Sequence, residues 1–236
     1  MFFSENKGTQ EDLDNYISYQ IVNARIANYQ PKKNYHRSVD CKVKRAIDIL
    51  GAIVGLLLTG IIYIPLAIAI KLEDSGPILY SQIRCGLNGK RFRIWKFRSM
   101  CIDAEQKKHL VENQAKGHIF KNDHDFRITK IGKFIRKTSL DEFPQFWNVL
   151  LGEMSLVGTR PPTPNEVENY DEYHRLRLRV KPGLTGEWQV KGRSCVKDFE
   201  QIVSLDLNYQ KKWSIWYDFK LILQTVRVVF GCKGAH

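Results

Sequence analysis

The sequence predicts an α+β protein, mainly helical, with an N-terminal re-entrant membrane helix, a β-hairpin and interfacial amphipathic helices. Three observations lead there. Residues 49–70, "ILGAIVGLLLTGIIYIPLAIAI", carry no charge over 22 residues. Two strand-like runs, "PILYSQI" and "RFRIWKF", flank the turn signal Gly86-Leu87-Asn88-Gly89. The remainder alternates helical stretches with Gly/Pro-rich loops. Three regions follow: an N-terminal arm over 1–43, a membrane-inserted helix over 44–72, and a cytosol-facing domain over 73–236.

The arm is polar and offers at most a short helix around "EDLDNYISYQIVNARIANY". It lacks the cleavage pattern of a signal peptide. The apolar segment would make roughly 33 Å of helix, close to the thickness of a bilayer core. Pro65 sits well inside it and should break or kink it. Basic residues flank both ends (Lys42, Lys44 and Arg45 before, Lys71 after), whereas a spanning helix carries its basic bias on one side. A helix that bends at Pro65 and returns to the same leaflet satisfies both flanks. Beyond the hairpin, helices are expected near "MCIDAEQKKHLVENQAKG", at the acid pair Asp141-Glu142, over "NEVENYDEYHRLRLRV", and as one long final pattern from Asp198 to Phe230.

Lys and Arg total 37 against 25 Asp and Glu, a formal net charge of +12. Such an excess fits a polyanionic partner: nucleic acid, an anionic membrane face or a phosphorylated substrate. With 43% hydrophobic residues the chain is not disordered throughout. Five scattered cysteines without a C-x-x-C pair argue against a disulfide framework and a zinc site, and for a reducing compartment.

The stretch "RKTSLDEFPQFWNVLLGEMSLVGTRP" holds most of the chemistry. Ser139-Leu140-Asp141-Glu142 fits a capping box, but that register puts Pro144 too deep in the helix. Asp141 as N-cap is the better register and sets both carboxylates at the positive end of a helix, where phosphate is also attracted. Helix capping and catalysis are both open on the pair alone. Arg136 and Lys137 precede it and Arg160 follows in "GTRPP". Guanidinium groups there would keep a carboxylate ionised and clamp a diphosphate. A carboxylate can attack phosphorus to give an acyl phosphate, with a magnesium ion shared by the second carboxylate and the phosphate oxygens.

These stretches, with "KRAIDIL", "GPILYSQIRCGLNGKRFRIWKFRSM", "DFRITKIGKF", "VKPGLTGEWQVKGRS" and "LDLNYQKKWSIWYDFKLILQTV", resemble the bacterial sugar transferase family in family order over about four fifths of the chain. The single apolar segment is similar to the family's small form, which sits in one leaflet. The resemblance implies transfer of a sugar-1-phosphate from a UDP-sugar to polyprenyl phosphate, releasing UMP. It makes Asp141 the nucleophile, and Glu142, with Asp141, the magnesium ligand. Lys96, Arg98, Asp125, Arg127, Arg136, Arg160 and Arg193 become contacts for substrate or phosphate. It further implies the cytosolic face of a bacterial inner membrane, membrane phospholipid around the helix, no nucleic acid, and leaves a homo-oligomer open. The chain departs from the family pattern at Thr159, where proline is usual, at Ser99 for threonine, and at Ile64 for the serine before Pro65.

Two other readings compete. A membrane-tethered basic module would bind anions without catalysis, although no nucleic-acid motif is present. A glycosyltransferase leaving UDP would use Asp123-His124-Asp125 as a D-x-D site. In "WSIWYDFKLIL", aromatics mixed with lysines suit either a helix in the headgroup region or core packing.

Overall fold

The computed structural model describes residues 35–192 and 196–230. The expected arm helix, Arg193, Cys195 and Cys232 lie outside them. Helix α1 (Lys42–Glu73) runs unbroken through Pro65, against the expected break. Packing explains this: Ile62, Leu66 and Ile70, on both sides of the proline, are held against Phe97 and Ile135. The helix is two-faced along its length. Asp48, Ala52, Gly55, Leu66 and Ile70 are buried against the rest of the protein, whereas Leu50, Val54, Leu57, Ile61, Ile64, Ile68 and Leu72 are exposed. The exposed residues recur every three or four positions and so line one side. A methyl group at Gly55 would overlap the Phe146 ring, so glycine is what lets the two elements touch.

Both ends of α1 are tied into the domain. Near the start, Lys44 Nζ reaches Asp218 Oδ2 at 2.6 Å, and Asp48 Oδ1 accepts from Ser155 Oγ and Leu156 N at 2.9 Å each. At the end, the Glu73 carboxylate accepts from the Lys130 and Ile131 amides, at 2.6 and 2.8 Å. Those amides open α2 (Lys130–Lys137), whose N-cap is Thr129.

The hairpin pairs β1 (Leu79–Cys85) with β2 (Arg91–Phe97), antiparallel, as the sequence predicts. Its turn needs positive φ at Asn88 (52°) and Gly89 (79°), conformations these two residue types tolerate. Phe92 and Ile94 face Ala52, Val149 and Met154 in one core cluster, and Phe97 joins Ile135, Leu66 and Ile70 in another. Full burial of a side chain such as Ile135 contributes about 1.5–3 kcal/mol.

Three helical expectations are corrected. Over 100–117 only a 3₁₀ turn (Gln106–Leu110) forms. The backbone there bonds outward, Cys101 N to Arg127 O, Gln114 N to Lys121 O and Lys116 N to Lys197 O, rather than along a helix. The 165–180 stretch divides into α4 (Pro164–Glu168), α5 (Glu172–Arg175) and a 3₁₀ turn, because Asp171 caps a new start by accepting from His174 N. The final pattern divides into α7 (Phe199–Lys212) and α8 (Ile215–Phe230). Trp213 breaks it: the ring is buried, its Nε1 donates to Asp218 at 3.1 Å, and its carbonyl accepts from Arg37 at 3.0 Å. Trp213 thus takes the core option while Trp216, 80% exposed, faces outward beside Phe219.

The Gly/Pro loop also holds more order than expected. β3 (Ser155–Val157) and β4 (Gly183–Thr185) form a short parallel pair, and α6 (Glu187–Gly192) follows. Gly158 and Gly183 face each other so closely that a Cβ on either would strike the opposite backbone. Their close approach serves this pairing. Cys41, Cys85 and Cys101 are free thiols.

Candidate active site

Ser139 takes the N-cap position of the first register, not Asp141, but without the expected capping box. Residues Leu140–Gln145 form a 3₁₀ turn leading into α3 (Phe146–Leu151), and the Ser139 hydroxyl does not cap it. Ser139 itself is left-handed at φ 57°, a conformation costing roughly 1–2 kcal/mol for a residue with a Cβ. That reversal, and Pro144's missing N–H, replace a regular helix start with a tight turn. The turn presents both carboxylates to the hairpin. Lys96 Nζ lies 2.8 Å from Glu142 Oε1 and 3.9 Å from Asp141 Oδ2. Asp141 is the more buried of the two, its side chain 7% exposed against 27% for Glu142.

Lys96 comes from β2, opposite Tyr80 of β1. Gln82 and Arg84 follow on the same face, since alternate residues of a strand share one. Arg84 was missed by sequence reasoning, though this register was the signal that could have found it. It is buried, donating to Pro161 O at 3.1 Å and Gln82 Oε1 at 2.7 Å. Burial, and then the neighbouring Arg160 charge, bring it down to about 10, against upward pulls from Glu166, Tyr80 and Glu142. Arg84 thus lies in the field of both the acid pair and the "GTRPP" loop. Arg160, carried by that loop, stacks its guanidinium 5.5 Å from the Trp188 ring centroid. The loop is firmly held despite Thr159: that hydroxyl donates to Arg177 O at 3.3 Å, and Gly183 N bonds Thr159 O at 2.8 Å.

The remaining predicted residues group further along. Arg136, in the last turn of α2, donates from Nε to Ser99 Oγ at 2.8 Å, so the serine replacing threonine keeps a working hydroxyl. Arg98 turns to the exit of α1, with Nη2 2.5 Å from Asp74 O and Nη1 3.4 Å from Asp74 Oδ2. Asp125 and Arg127 close on each other at 2.6 Å, and Arg127 also reaches Ala104 O. Burial raises the Asp125 carboxyl, but the hydrogen bonds and charge of Arg127, with Arg136 behind, hold it net below its ordinary value. Asp123 is bound by Lys197 at 2.6 Å. The structure therefore gathers Lys96, Asp141 and Glu142 directly, and Arg160 around Arg84, while Arg98, Asp125 and Arg127 are engaged with other partners.

The profile of the bacterial sugar transferase family matches residues 39–232, and the chain belongs to that family. It is 57% identical over 194 residues to the galactosyl transferase CpsE of Streptococcus agalactiae, covering 81% of this chain and 43% of that protein. It is 38% identical over 231 residues to the undecaprenyl-phosphate galactose phosphotransferase of Salmonella typhimurium, covering 95% and 47%. With the UDP-glucose:undecaprenyl-phosphate glucose-1-phosphate transferase of Escherichia coli it shares 41% over 201 residues, covering 82% and 41%. The chain spans less than half the length of each of these three relatives.

Proposed function

We propose that this chain is a phosphoglycosyl transferase, moving a sugar-1-phosphate from a UDP-sugar to polyprenyl phosphate. The observation that carries the reading is a buried carboxylate, Asp141, held 3.9 Å from Lys96 beside the Glu142–Lys96 ion pair. A cation beside a carboxylate favours its charged form, the state a nucleophile needs. In the first step an Asp141 oxygen attacks the β-phosphorus; the bond to the bridging oxygen breaks and UMP leaves with that electron pair. In the second, an oxygen of the lipid phosphate attacks the same phosphorus, the bond to Asp141 breaks, and the carboxylate is restored. Lys96 supplies positive charge to the phosphate oxygens at the reacting centre, and Arg160 to a phosphate beside it. The relatives' names, with galactose and glucose among them, support the reaction class while leaving the sugar open.

Magnesium fits the donor set. It commonly takes one or two carboxylates and completes its shell with substrate phosphates and water. Among the described residues, no group of three or more His, Cys, Asp or Glu makes an all-protein site. Glu142, with Asp141 beside it, would hold the ion, which when bound neutralises charge on the phosphate oxygens.

The two faces of α1 support a position on one side of a bilayer. α1 is long and apolar enough to cross one. Yet its start, its middle (Thr59 Oγ1 to Phe143 O, 3.4 Å) and its end all touch the same domain. A helix so attached keeps that domain on one side, the cytosolic one, and offers the Leu50–Leu72 stripe to phospholipid.

The test is the nucleotide released when the protein in detergent meets magnesium, undecaprenyl phosphate and a panel of UDP-sugars. UMP is expected. UDP would mean glycosyl transfer and overturn the covalent route through Asp141.

A further inference from the structure

Five arginines and lysines are buried among the described residues: Lys44, Arg84, Arg98, Arg127 and Arg177. Four have a carboxylate within reach: Asp218 at 2.6 Å, Asp74 at 3.4 Å, Asp125 at 2.6 Å and Asp206 at 2.5 Å. Arg84 is the exception. Its two hydrogen bonds go to neutral oxygens, of Pro161 and Gln82, and its Nε has no hydrogen-bond partner at all. A guanidinium carries five N–H donors, and a buried one without a counter-charge is costly to keep.

The acids that could have closed the gap are engaged elsewhere. Glu166 forms the capping box of α4, accepting from Thr163 N at 3.0 Å. Glu142 is bound by Lys96 at 2.8 Å. The neighbour Arg84 does have is a second cation, Arg160, which makes the local charge surplus larger. Arg160 is half-buried and stacked on Trp188, so it meets solvent where Arg84 is covered. Two guanidiniums without a bonded carboxylate, Arg84 on the hairpin face that also carries Lys96 and Arg160 on the loop beside it, form a cradle of donors for an anion with several acceptor oxygens. Lys96 and Arg84 stand four residues apart in register, about 13 Å of strand. The cradle is therefore a site beside the acid pair rather than part of it.

We infer that Arg84, with Arg160, binds a phosphate group of a substrate, in a subsite adjoining Asp141 and Glu142. The inference rests on the transferase reading, and the phosphate belongs either to the nucleotide or to the lipid. In binding, the anion takes the place of the missing carboxylate, and the contact to Pro161 passes its position to the Arg160 loop.

The experiment is thermal stabilisation of the full chain in nanodiscs by UDP and, separately, by undecaprenyl phosphate. Wild type, Arg84→Gln and Arg84→Lys are compared. Arg84→Gln should weaken the response to one ligand at least about 10-fold, and Arg84→Lys by roughly 3-fold, since a point charge replaces a two-pronged donor. Loss confined to UDP assigns the cradle to the nucleotide, and loss confined to the lipid assigns it to the acceptor. Should Arg84→Gln fail to fold, Arg84→Lys decides alone. Wild-type responses to both ligands in a folded variant would overturn the inference and leave Arg84 as a brace for Pro161. A wild type that responds to neither ligand would instead overturn the transferase reading itself.

Discussion

Arg177 and Arg84 are both buried guanidiniums, and the difference between them separates scaffold from site. Arg177 donates from Nε and Nη2 to Asp206, at 2.9 and 2.5 Å, and from Nη1 to the Tyr170 hydroxyl at 2.7 Å. Its charge is answered inside the fold, and the joint locks α7 to the turn before β4. Arg84 has no carboxylate bonded to it, and of the two acids beside Lys96 on the same face one, Asp141, is the proposed nucleophile. Where this protein balances its buried charges it is building a frame. Where it leaves a surplus it is set up for an anion from outside.

Breaking the comparison at its catalytic end has the largest effect. Asp141→Asn should lower turnover by at least about 10⁴-fold, as loss of a covalent nucleophile does, with UMP release as the readout and the melting temperature little changed. At the frame end, Asp206→Ala leaves Arg177 buried without its partner and should cost about 3–5 kcal/mol of stability. The double change Arg177→Met with Asp206→Leu should recover most of that in a thermal melt; no recovery would mean the pair does more than neutralise itself.

Asp125 sharpens the contrast by pH. Its carboxyl is held below the ordinary value, so its contribution is present above the unfolded value near pH 4 and fades as pH falls through the lowered folded one. Asp125→Asn should therefore melt lower than wild type at pH 7, by about 2 kcal/mol for lost charged hydrogen bonds, and the gap should narrow towards pH 3. A gap constant with pH would assign the loss to packing. The smallest effect is expected at Thr159→Val, about 1 kcal/mol for the bond to Arg177 O. If KM for the UDP-sugar rises while stability holds, the loop carrying Arg160 depends on that hydroxyl for its aim.

Local chemistry in the sequence foretold the hairpin and the acid pair. Gly86 to Gly89 is a turn signal because Asn88 and Gly89 can take positive φ, and strand alternation does the rest. Asp141 and Glu142 stood out through their neighbours in the chain. What stayed hidden depends on distant partners. Nothing near Gln106 tells that Cys101 and Lys116, on either side of it, will bond to Arg127 and Lys197 instead of along a helix. Asp141 looked the better N-cap because a left-handed Ser139 opening a 3₁₀ turn is not legible from propensity. The apolar run at 49–70 read as uniform, and only the packing of Ala52, Gly55 and Leu66 revealed that α1 has a protein side and an open side.

That two-sidedness bears on how the protein can be made and handled. α1 supplies Ala52 to the cluster around Phe92 and Ile94, and Leu66 and Ile70 to the cluster around Phe97 and Ile135. α1 is one wall of the domain's interior, not a leash on a finished globule. Trimming the chain after Glu73 would open both clusters to water and strip the Glu73 carboxylate from the first amides of α2. Making and solubilising the protein thus concern one packed unit, in which α1, Val149, Met154 and Ile135 together support the hairpin.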